Sequence, residues 1–534
     1  MAVLTFALAQ LDFTVGAVRG NAERMRAAMA EATTAGADLL AFPELALCGY
    51  PAEDLIQLDD VDVACMEAVH ELAENARELV ACVGHPLRDE AELFNACSVL
   101  RDGAAETRVR KQNLRADEYR YFAAGATSTL IAVNGVHIGL LIGSDLDAEA
   151  PAAHAVAAGA ELLLVMDSSP YDTAQAARRE QLLAQRACDN QVAIIWLNAV
   201  GGQGSLVFDG ASLLVEADGS VVARGPAFVD QLLLARFDSV SGRFDAVWPH
   251  ATETQEDGVI YAGLVRALRD YVHKNGFHHV LLGLSGGIDS SLTLAIAVDA
   301  LGPDQVTAVL LPSRFTSDLS TREAERQARR LGVKHELISI EPAVEAMRAS
   351  LAPLFAGLAE DLTEENLQAR CRGVLLMALS NKFGGLLLTC GNKSEEAVGY
   401  STLYGDTCGG FAPIVDVYKT RVWSLARWRN AQGEEVIPQV VIDRPPSAEL
   451  REGQADADTL PPYDVLDAIL QRLLEGAQTP QAIIAEGFDA ACVRRVARLL
   501  LMGEYKRRQV APGPKITPCA LGQERRYPLS SAWR

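Results

Sequence analysis

A compact apolar run, residues 278–284, breaks directly into Ser285, Gly286, Gly287, Ile288, Asp289, Ser290 and Ser291, and then into a helical stretch rich in Leu and Ala. Strand, glycine loop and helix in immediate succession strongly restrict the fold, because they form a βα unit of a parallel sheet that binds ligands at the carboxyl ends of its strands. The glycines let main-chain N–H groups approach anionic oxygens, the serine hydroxyls add donors, and the positive end of the helix dipole completes a phosphate cradle. No Lys follows the glycines, so this is not a Walker loop, and a metal ion has to carry more of the charge neutralisation. Asp289 is the carboxylate placed to hold Mg²⁺. The plain alternative is a tight turn in which Asp289 only caps the next helix.

The pattern around the loop repeats this unit. A helix over 259–274 leads in, a helix over 290–301 follows, then the strand VTAVLL, a helix over 320–331 and the strand ELISI. Residues 1 to about 240 also alternate short apolar runs with helical patterns: VLTFALAQL, a helix over 22–35, ADLLAFPEL, a helix over 61–79 and LVACVGHPL. Strands are expected over 96–101, 129–133, 136–142, 161–165, 193–198 and 211–216, and so many strands with few helices between them suggest a sandwich of two sheets. Between 237 and 256 the chain turns polar and Pro249 breaks any continuing element, which divides it into 1–240, a linker 241–256 and 257–534.

Composition excludes several function classes. The 534 residues carry 70 Asp and Glu against 48 Lys and Arg, a net charge of -22, so binding a nucleic-acid backbone would need a basic patch working against the global field. The longest uncharged stretch, 126–144, is interrupted by Thr127, Ser128, Thr129, Asn134, Gly135 and His137. With Asn134-Gly135 between apolar runs, it reads as a hairpin and not a membrane span. The apolar start lacks a basic region and meets Asp12 early, unlike a signal peptide, and ten scattered cysteines suggest reduced thiols in a cytoplasmic protein.

The SGGIDSS loop resembles that of the N-type ATP pyrophosphatases, which cleave ATP to AMP and pyrophosphate while adenylating a substrate. Later segments narrow the choice. ENLQARCRG puts Arg370 and Arg372 two residues apart near the start of a long helix, suited to planar contact with phosphates or a base. Residues 386–406 begin as a strand and end as a polar loop carrying Lys393, Glu395, Tyr400 and Asp406, and EYKRRQVAPGPKI concentrates four cations. With PPSAELR, LPPYDVLD and RRYPL, nearly all of 256–534 resembles the synthetase part of bacterial NAD synthetase.

That resemblance implies a Rossmann-like ATP-pyrophosphatase domain with a parallel sheet. In it, ATP and Mg²⁺ adenylate the nicotinate carboxylate of deamido-NAD, and ammonia then displaces AMP. It puts ATP on Gly283, Leu284, Ser285, Gly286, Gly287, Ile288, Asp289, Ser290, Arg370, Thr389 and Cys390. Asp289 and Glu395 fall on Mg²⁺ and Lys419 on the phosphates, and these three are the expected catalytic residues. Deamido-NAD falls on Asn366, Glu395, Tyr400, Ser401, Thr402, Leu403 and Lys515. Cys390 departs from the family, which usually has a second Thr after Thr389, a change that is tolerable if this position offers ATP its main chain. The resemblance also implies a homo-oligomer built on a dimer of synthetase domains.

FPELALCGYP places Glu44 at a strand end, RVRKQNL places Lys111 in a short polar turn, and DEYRYF, VGGQ and LVFDG complete the pattern. Residues 1 to about 235 thereby resemble the nitrilase-type glutaminase domain of larger NAD synthetases, an α/β-β/α sandwich. In that family a Glu-Lys-Cys triad releases ammonia from glutamine. Glu44 and Lys111 match, but where the family has Cys-Glu-Asp this chain reads Gly143, Ser144 and Asp145, and Gly204 and Ser205 replace an acidic pair. Side chains one apart along a strand point to opposite faces, so Ser144 is expected to aim away from Glu44 and Lys111. Cys48 reads as a packing thiol.

The leading expectation is therefore an ammonia-dependent NAD synthetase with an inactive glutaminase domain whose vestiges are Glu44, Lys111 and Gly143. Its substrates are deamido-NAD and ammonia, with no nucleic acid or membrane partner. The alternatives are a glutamine-dependent synthetase with a non-standard nucleophile or a partner supplying ammonia, a non-catalytic nucleotide-sensing regulator, and a stand-alone amidase that Gly143 disfavours.

Overall fold

Alternation in β1 (Val3–Gln10) sends Leu4, Phe6 and Leu8 to one face and Ala7 and Ala9 to the other, and both faces are buried. A strand buried on both sides is a central strand of a layered fold. The chain divides into two units, Met1–Glu253 and Thr254–Arg534, and the computed structural model describes residues 3–245, 248 and 255–533. Residues 246, 247 and 249–254 of the expected linker 241–256, Pro249 among them, lie outside the described residues.

After β1 the first unit runs α1 (Val18–Thr34), β2 (Leu39–Ala41), α2 (Asp59–Ala73), β3 (Val80–Asp89), β4 (Glu92–Arg101), β5 (Ala104–Arg110), β6 (Thr129–Val133) and β7 (Val136–Ile142). It continues through α3 (Glu149–Ala157), β8 (Leu162–Asp167), α4 (Gln175–Asn190), β9 (Ala193–Asn198), β10 (Val200–Gln203), β11 (Leu206–Asp209), β12 (Leu213–Val215), β13 (Val221–Arg224), β14 (Gln231–Asp238) and β15 (Arg243–Asp245). One sheet has the order β15-β14-β1-β2-β3-β4-β5 and the other β13-β12-β9-β8-β7-β6. Leu4, Phe6 and Leu8 share a core with Ile138, Leu140, Leu162, Leu164 and Ile195 of the second sheet, so the two sheets pack face to face. Helices α1 and α2 cover the outer face of the first sheet, and α3 and α4 that of the second. The result is the expected α/β-β/α sandwich.

The β6–β7 hairpin has its expected bounds, with Val133 opposite Val136 and positive φ at Asn134 (49°) and Gly135 (86°), as a tight two-residue turn requires. Elsewhere the expected elements shift. The helix expected over 61–79 ends at Ala73, because residues 74–79 turn the chain back into β3. The expectation of few helices is corrected by α4, whose buried stripe holds Arg179, Leu183, Arg186 and Ala187. Two arginines stand where periodicity calls for apolar residues. Arg179 bonds Asp209 at 3.0 Å and lies 4.4 Å from the centre of the Trp196 ring, while Arg186 donates to the carbonyls of Leu146 and Asp147.

The second unit runs α5 (Glu256–Lys274), β16 (Val280–Gly283), α6 (Ile288–Leu301), β17 (Val306–Leu310), α7 (Asp318–Arg330), β18 (Lys334–Leu337), α8 (Glu341–Leu351), α9 (Leu362–Phe383), β19 (Leu386–Leu388), α10 (Lys393–Val398) and α11 (Lys419–Ala431). It ends in α12 (Gln439–Asp443), α13 (Tyr463–Leu474), α14 (Pro480–Ala485), α15 (Ala490–Met502) and α16 (Glu504–Arg507). Its sheet, β18-β17-β16-β19, is parallel throughout. The polar loop expected to carry Lys393 and Glu395 is instead helix α10. Asn392 caps it by accepting a 3.0 Å bond from the Glu395 N–H, and Gly399, at φ 70°, ends it. No described helix is long and apolar enough to cross a membrane.

Candidate active sites

In the second unit β16 delivers the loop to the N-terminus of α6. Gly286, at φ 76°, lies so close to Ser320 that a Cβ would meet its carbonyl oxygen at 2.3 Å, so only glycine fits. The Ser290 hydroxyl holds the turn by donating to the Gly287 carbonyl at 3.1 Å, and the Gly287 N–H donates to Ser285 Oγ at 3.2 Å. Asp289, in the first turn of α6, accepts a 2.8 Å bond from Asn392 Nδ2. Lys419, the first residue of α11, reaches Asp289 Oδ2 at 2.6 Å and Glu395 Oε1 at 3.0 Å, and its ammonium lies 5.2 Å from the centre of the Tyr463 ring.

Burial alone would lower the Lys419 pKa, but Asp289 and Glu395 together raise it above its ordinary value. Burial pushes Glu395 up to about 7 against the pull of Lys419, and Asp289 adds to the rise. The three groups stand on the wall of a cavity of about 320 Å³, within the usual range of small-molecule sites, roughly 300–1,000 Å³.

Of the expected ATP residues, Gly283, Leu284, Ser285, Gly287, Ile288, Asp289, Ser290, Thr389 and Cys390 line this cavity. Gly286 packs against the Ser320 main chain, and Arg370 donates to the Leu403 carbonyl at 3.2 Å, both off the wall. Of the expected deamido-NAD residues, Glu395, Tyr400 and Ser401 line it. Thr402 donates to Asn366 Oδ1 at 2.8 Å, which ties those two to each other, and Lys515 is paired with Glu524 at 2.6 Å. The cations of residues 504–516 are engaged as well. Lys506 donates to the carbonyls of Gly399 and Ser401, and Arg507 to that of Ala397.

The wall also holds Arg372, one of the two arginines expected to contact phosphates or a base, and two residues that sequence reasoning did not place there, Arg444 and Glu396. On α9, Ala369, Arg372 and Leu376 share the stripe that meets the cavity. Helical spacing turns Arg370, one residue on from Ala369, away from that stripe, whereas Asn366, three residues before Ala369, lies beside it and is tied to Thr402. Glu396 Oε2 has no hydrogen-bond partner among the described residues, and burial pushes its carboxyl up to about 8.

In the first unit β2 ends just before Glu44, β5 just before Lys111, and β7 at Ile142 just before Gly143. The side chains of Glu44 and Lys111 are both fully buried and bonded at 2.7 Å. Lys111 also donates to Glu118 at 2.8 Å, and Asn95 Nδ2 to Glu44 Oε1 at 2.7 Å. Asp145 accepts the N–H groups of Gln112 and Asn113 at 2.7 Å each, so it ties the chain after Lys111 to the turn after β7. Burial pushes Asp145 up to about 6, although these bonds favour its charged form.

Gly143, at φ 50°, faces the carboxylate so closely that a Cβ there would lie 2.5 Å from Glu44 Oε2. Burial works to raise the Glu44 pKa, but Lys111 and Arg115 hold it below its ordinary value, while burial and the charge of Glu44 raise Glu118. The structure thus brings Glu44, Lys111 and Gly143 together. Ser144 Oγ donates to the Asn113 carbonyl at 2.7 Å, and Gly204 and Ser205 form the tip of the β10–β11 hairpin, where a Cβ at Gly204 would meet nothing within 4 Å.

The NAD synthase family model matches residues 260–510, and the carbon-nitrogen hydrolase model matches residues 5–244. The glutamine-dependent NAD(+) synthetase of Xanthomonas campestris pv. campestris is 50% identical, covering 99% of this chain and 98% of its own. That of Acinetobacter baylyi is 45% identical, covering 99% and 98%. Among solved structures, the glutamine-dependent NAD+ synthetase from Acinetobacter baumannii in complex with ADP is 41% identical, with a TM-score of 0.81, covering 100% of this chain and 99% of its own. These relatives overturn the expectation of an ammonia-only enzyme with an inactive glutaminase domain. Their full-length likeness includes the first unit, and they are glutamine-dependent. The expectation of lost function rested on Gly143 together with Gly204 and Ser205, whereas Glu44 and Lys111 stand in bonding contact.

Proposed function

Because the chain belongs to the NAD synthetase family, whose members are ligases that form a carbon–nitrogen bond, we propose that it makes NAD from deamido-NAD with glutamine as the nitrogen donor. ATP adenylates the nicotinate carboxylate, ammonia cut from glutamine in the first unit displaces AMP, and NAD, AMP and pyrophosphate leave. The observation that carries this reading is the convergence of Lys419 on Asp289 and Glu395 beside the glycine loop.

A carboxylate is a poor electrophile, and adenylation gives it a leaving group. The loop N–H groups at the start of α6 would receive the phosphates and Lys419 would meet their charge. Two convergent carboxylates suit Mg²⁺, which is normally held by one or two carboxylates and substrate phosphates. Bound by Asp289 and Glu395, the ion would offset the charge on the departing pyrophosphate. Tyr400 and Ser401 would meet the dinucleotide at the wall, with Asn366, Thr402, Leu403 and Lys515 beyond it. All ten cysteines are free, which supports a reducing, cytoplasmic setting. The resemblance adds a dimer built on the second unit.

The test is NAD formation by the purified protein from ATP, Mg²⁺ and deamido-NAD, with either ammonium or ammonia-free glutamine. Product is expected from both donors. Product from ammonium alone would overturn the glutamine reading, and product from neither would overturn the synthetase reading.

A further inference from the structure

The carboxylate of Glu44 is used on one side only. Its Oε1 receives Lys111 Nζ and Asn95 Nδ2, each at 2.7 Å. Its Oε2 is buried and has no hydrogen-bond partner among the described residues; the Arg115 guanidinium approaches it no closer than 4.0 Å. A buried carboxylate oxygen without a donor carries the desolvation penalty of a charged group uncompensated, so this oxygen calls for one. It faces Gly143, which has no side chain to offer.

The neighbouring nucleophiles are committed elsewhere. Ser144 Oγ donates to the Asn113 carbonyl, and Ser168 Oγ to the main-chain carbonyl of Glu44 at 3.0 Å. Cys48 Sγ points at the carbonyls of Leu45 and Gly49, 3.5 Å from each, and its bond to Cys65 together with burial keeps its thiol protonated. The Tyr50 hydroxyl accepts from Arg115 at 2.8 Å.

We infer that the amide-cleaving step uses a water molecule, activated by Glu44 Oε2 and attacking glutamine directly, with no covalent glutamyl-enzyme. The inference rests on the glutamine reading above and names the nucleophile that reading leaves open. Water gives its proton to Glu44 as its oxygen bonds to the amide carbon, and Lys111 steadies the oxyanion. Glu44 then passes the proton to the amide nitrogen as the C–N bond breaks. One glutamine and one water become glutamic acid and ammonia, and the acid loses its proton to solvent. Although burial works to raise its pKa, Lys111 and Arg115 hold Glu44 below its ordinary value, so it stands ionised and can accept a proton. The Arg115 side chain, 4.0 Å from Glu44 Oε2, is 27% exposed.

The test is ammonia release from glutamine by the full chain with hydroxylamine present, alongside intact-mass analysis after exposure to a diazo-ketone analogue of glutamine. Ammonia without γ-glutamyl hydroxamate, no mass adduct, and at least a hundredfold loss in a Glu44→Gln variant with unchanged circular dichroism are expected. Hydroxamate, or an adduct on Cys48, Ser144 or any other side chain, would overturn the water nucleophile and leave the glutamine reading intact. A Glu44→Gln variant that still cleaves glutamine would do the same. No ammonia from the wild-type chain would overturn both.

Discussion

Lys111 and Lys419 each stand between two carboxylates in hydrogen-bond contact, yet the two clusters differ in what surrounds them. The side chains of Lys111, Glu44 and Glu118 are 0%, 0% and 6% exposed. Those of Lys419, Asp289 and Glu395 are 2%, 18% and 18% exposed, and they border a cavity. One arrangement of charge therefore serves two purposes. In the closed cluster the charges depend on one another. In the open cluster a polyanion and its counter-ion can reach both carboxylates, so the lysine is less bound up with folding.

The largest effect expected from this contrast is on catalysis in the second unit. Lys419→Met should lower NAD formation by about a thousandfold with either nitrogen donor, the scale of losing one electrostatic stabiliser. Its melting temperature should fall by only a few degrees. Lys111→Met should do the reverse to stability, costing about 3–5 kcal/mol in urea unfolding because it leaves two buried carboxylates without their cation. Equal losses of stability in the two variants would erase the distinction between closed and open clusters.

His85 sharpens the picture of the first unit as a dry interior. It is fully buried, bonded to Ser98 Oγ and the Pro86 carbonyl at 2.7 Å each, and burial pulls its pKa down to about 4. The unfolded chain takes up this proton as pH falls through 6.5, and the folded chain only near 4. Stability is therefore lost across that window as pH drops, by about 3 kcal/mol from this group. Urea midpoints of the wild type and His85→Gln between pH 7 and 4 should converge toward the acid end. Parallel curves would mean that the ring is not held neutral. The smallest effect should come from Cys390→Thr on the cavity wall, where NAD formation is expected to change less than threefold. A larger change would give the thiol, held protonated by burial, a role beyond its main chain.

Features set by neighbouring residues were legible in the sequence. Asn134-Gly135 specified its turn because both residues accept positive φ, and the glycine loop could be read because strand, turn and helix are contiguous. Helix α10 was within reach too, since Asn392 followed three residues later by Glu395 is a capping pattern. What stayed hidden depends on distant partners. Whether Arg370 or Arg372 faces the cavity is decided by how α9 lies on the sheet, and Arg179 and Arg186 break the periodicity of α4 for acceptors far along the chain. Gly143, with Gly204 and Ser205, misled because the local sequence shows a missing side chain but not the bonded Glu44–Lys111 pair that it faces.

The pairing of β1 with β14 has a consequence for how the protein is made. Val3 pairs with Asp238 and Gln10 with Gln231, so β1 lies against a strand that is synthesised much later, near the end of its unit. At about 5–20 residues per second, β1 waits on the order of ten to fifty seconds for that partner. During the wait its free edge, in an apolar segment with no charge or proline to blunt it, is open to the wrong strand. Yield in the cell should therefore depend on growth temperature and chaperone supply more steeply than the stability of the finished protein would suggest.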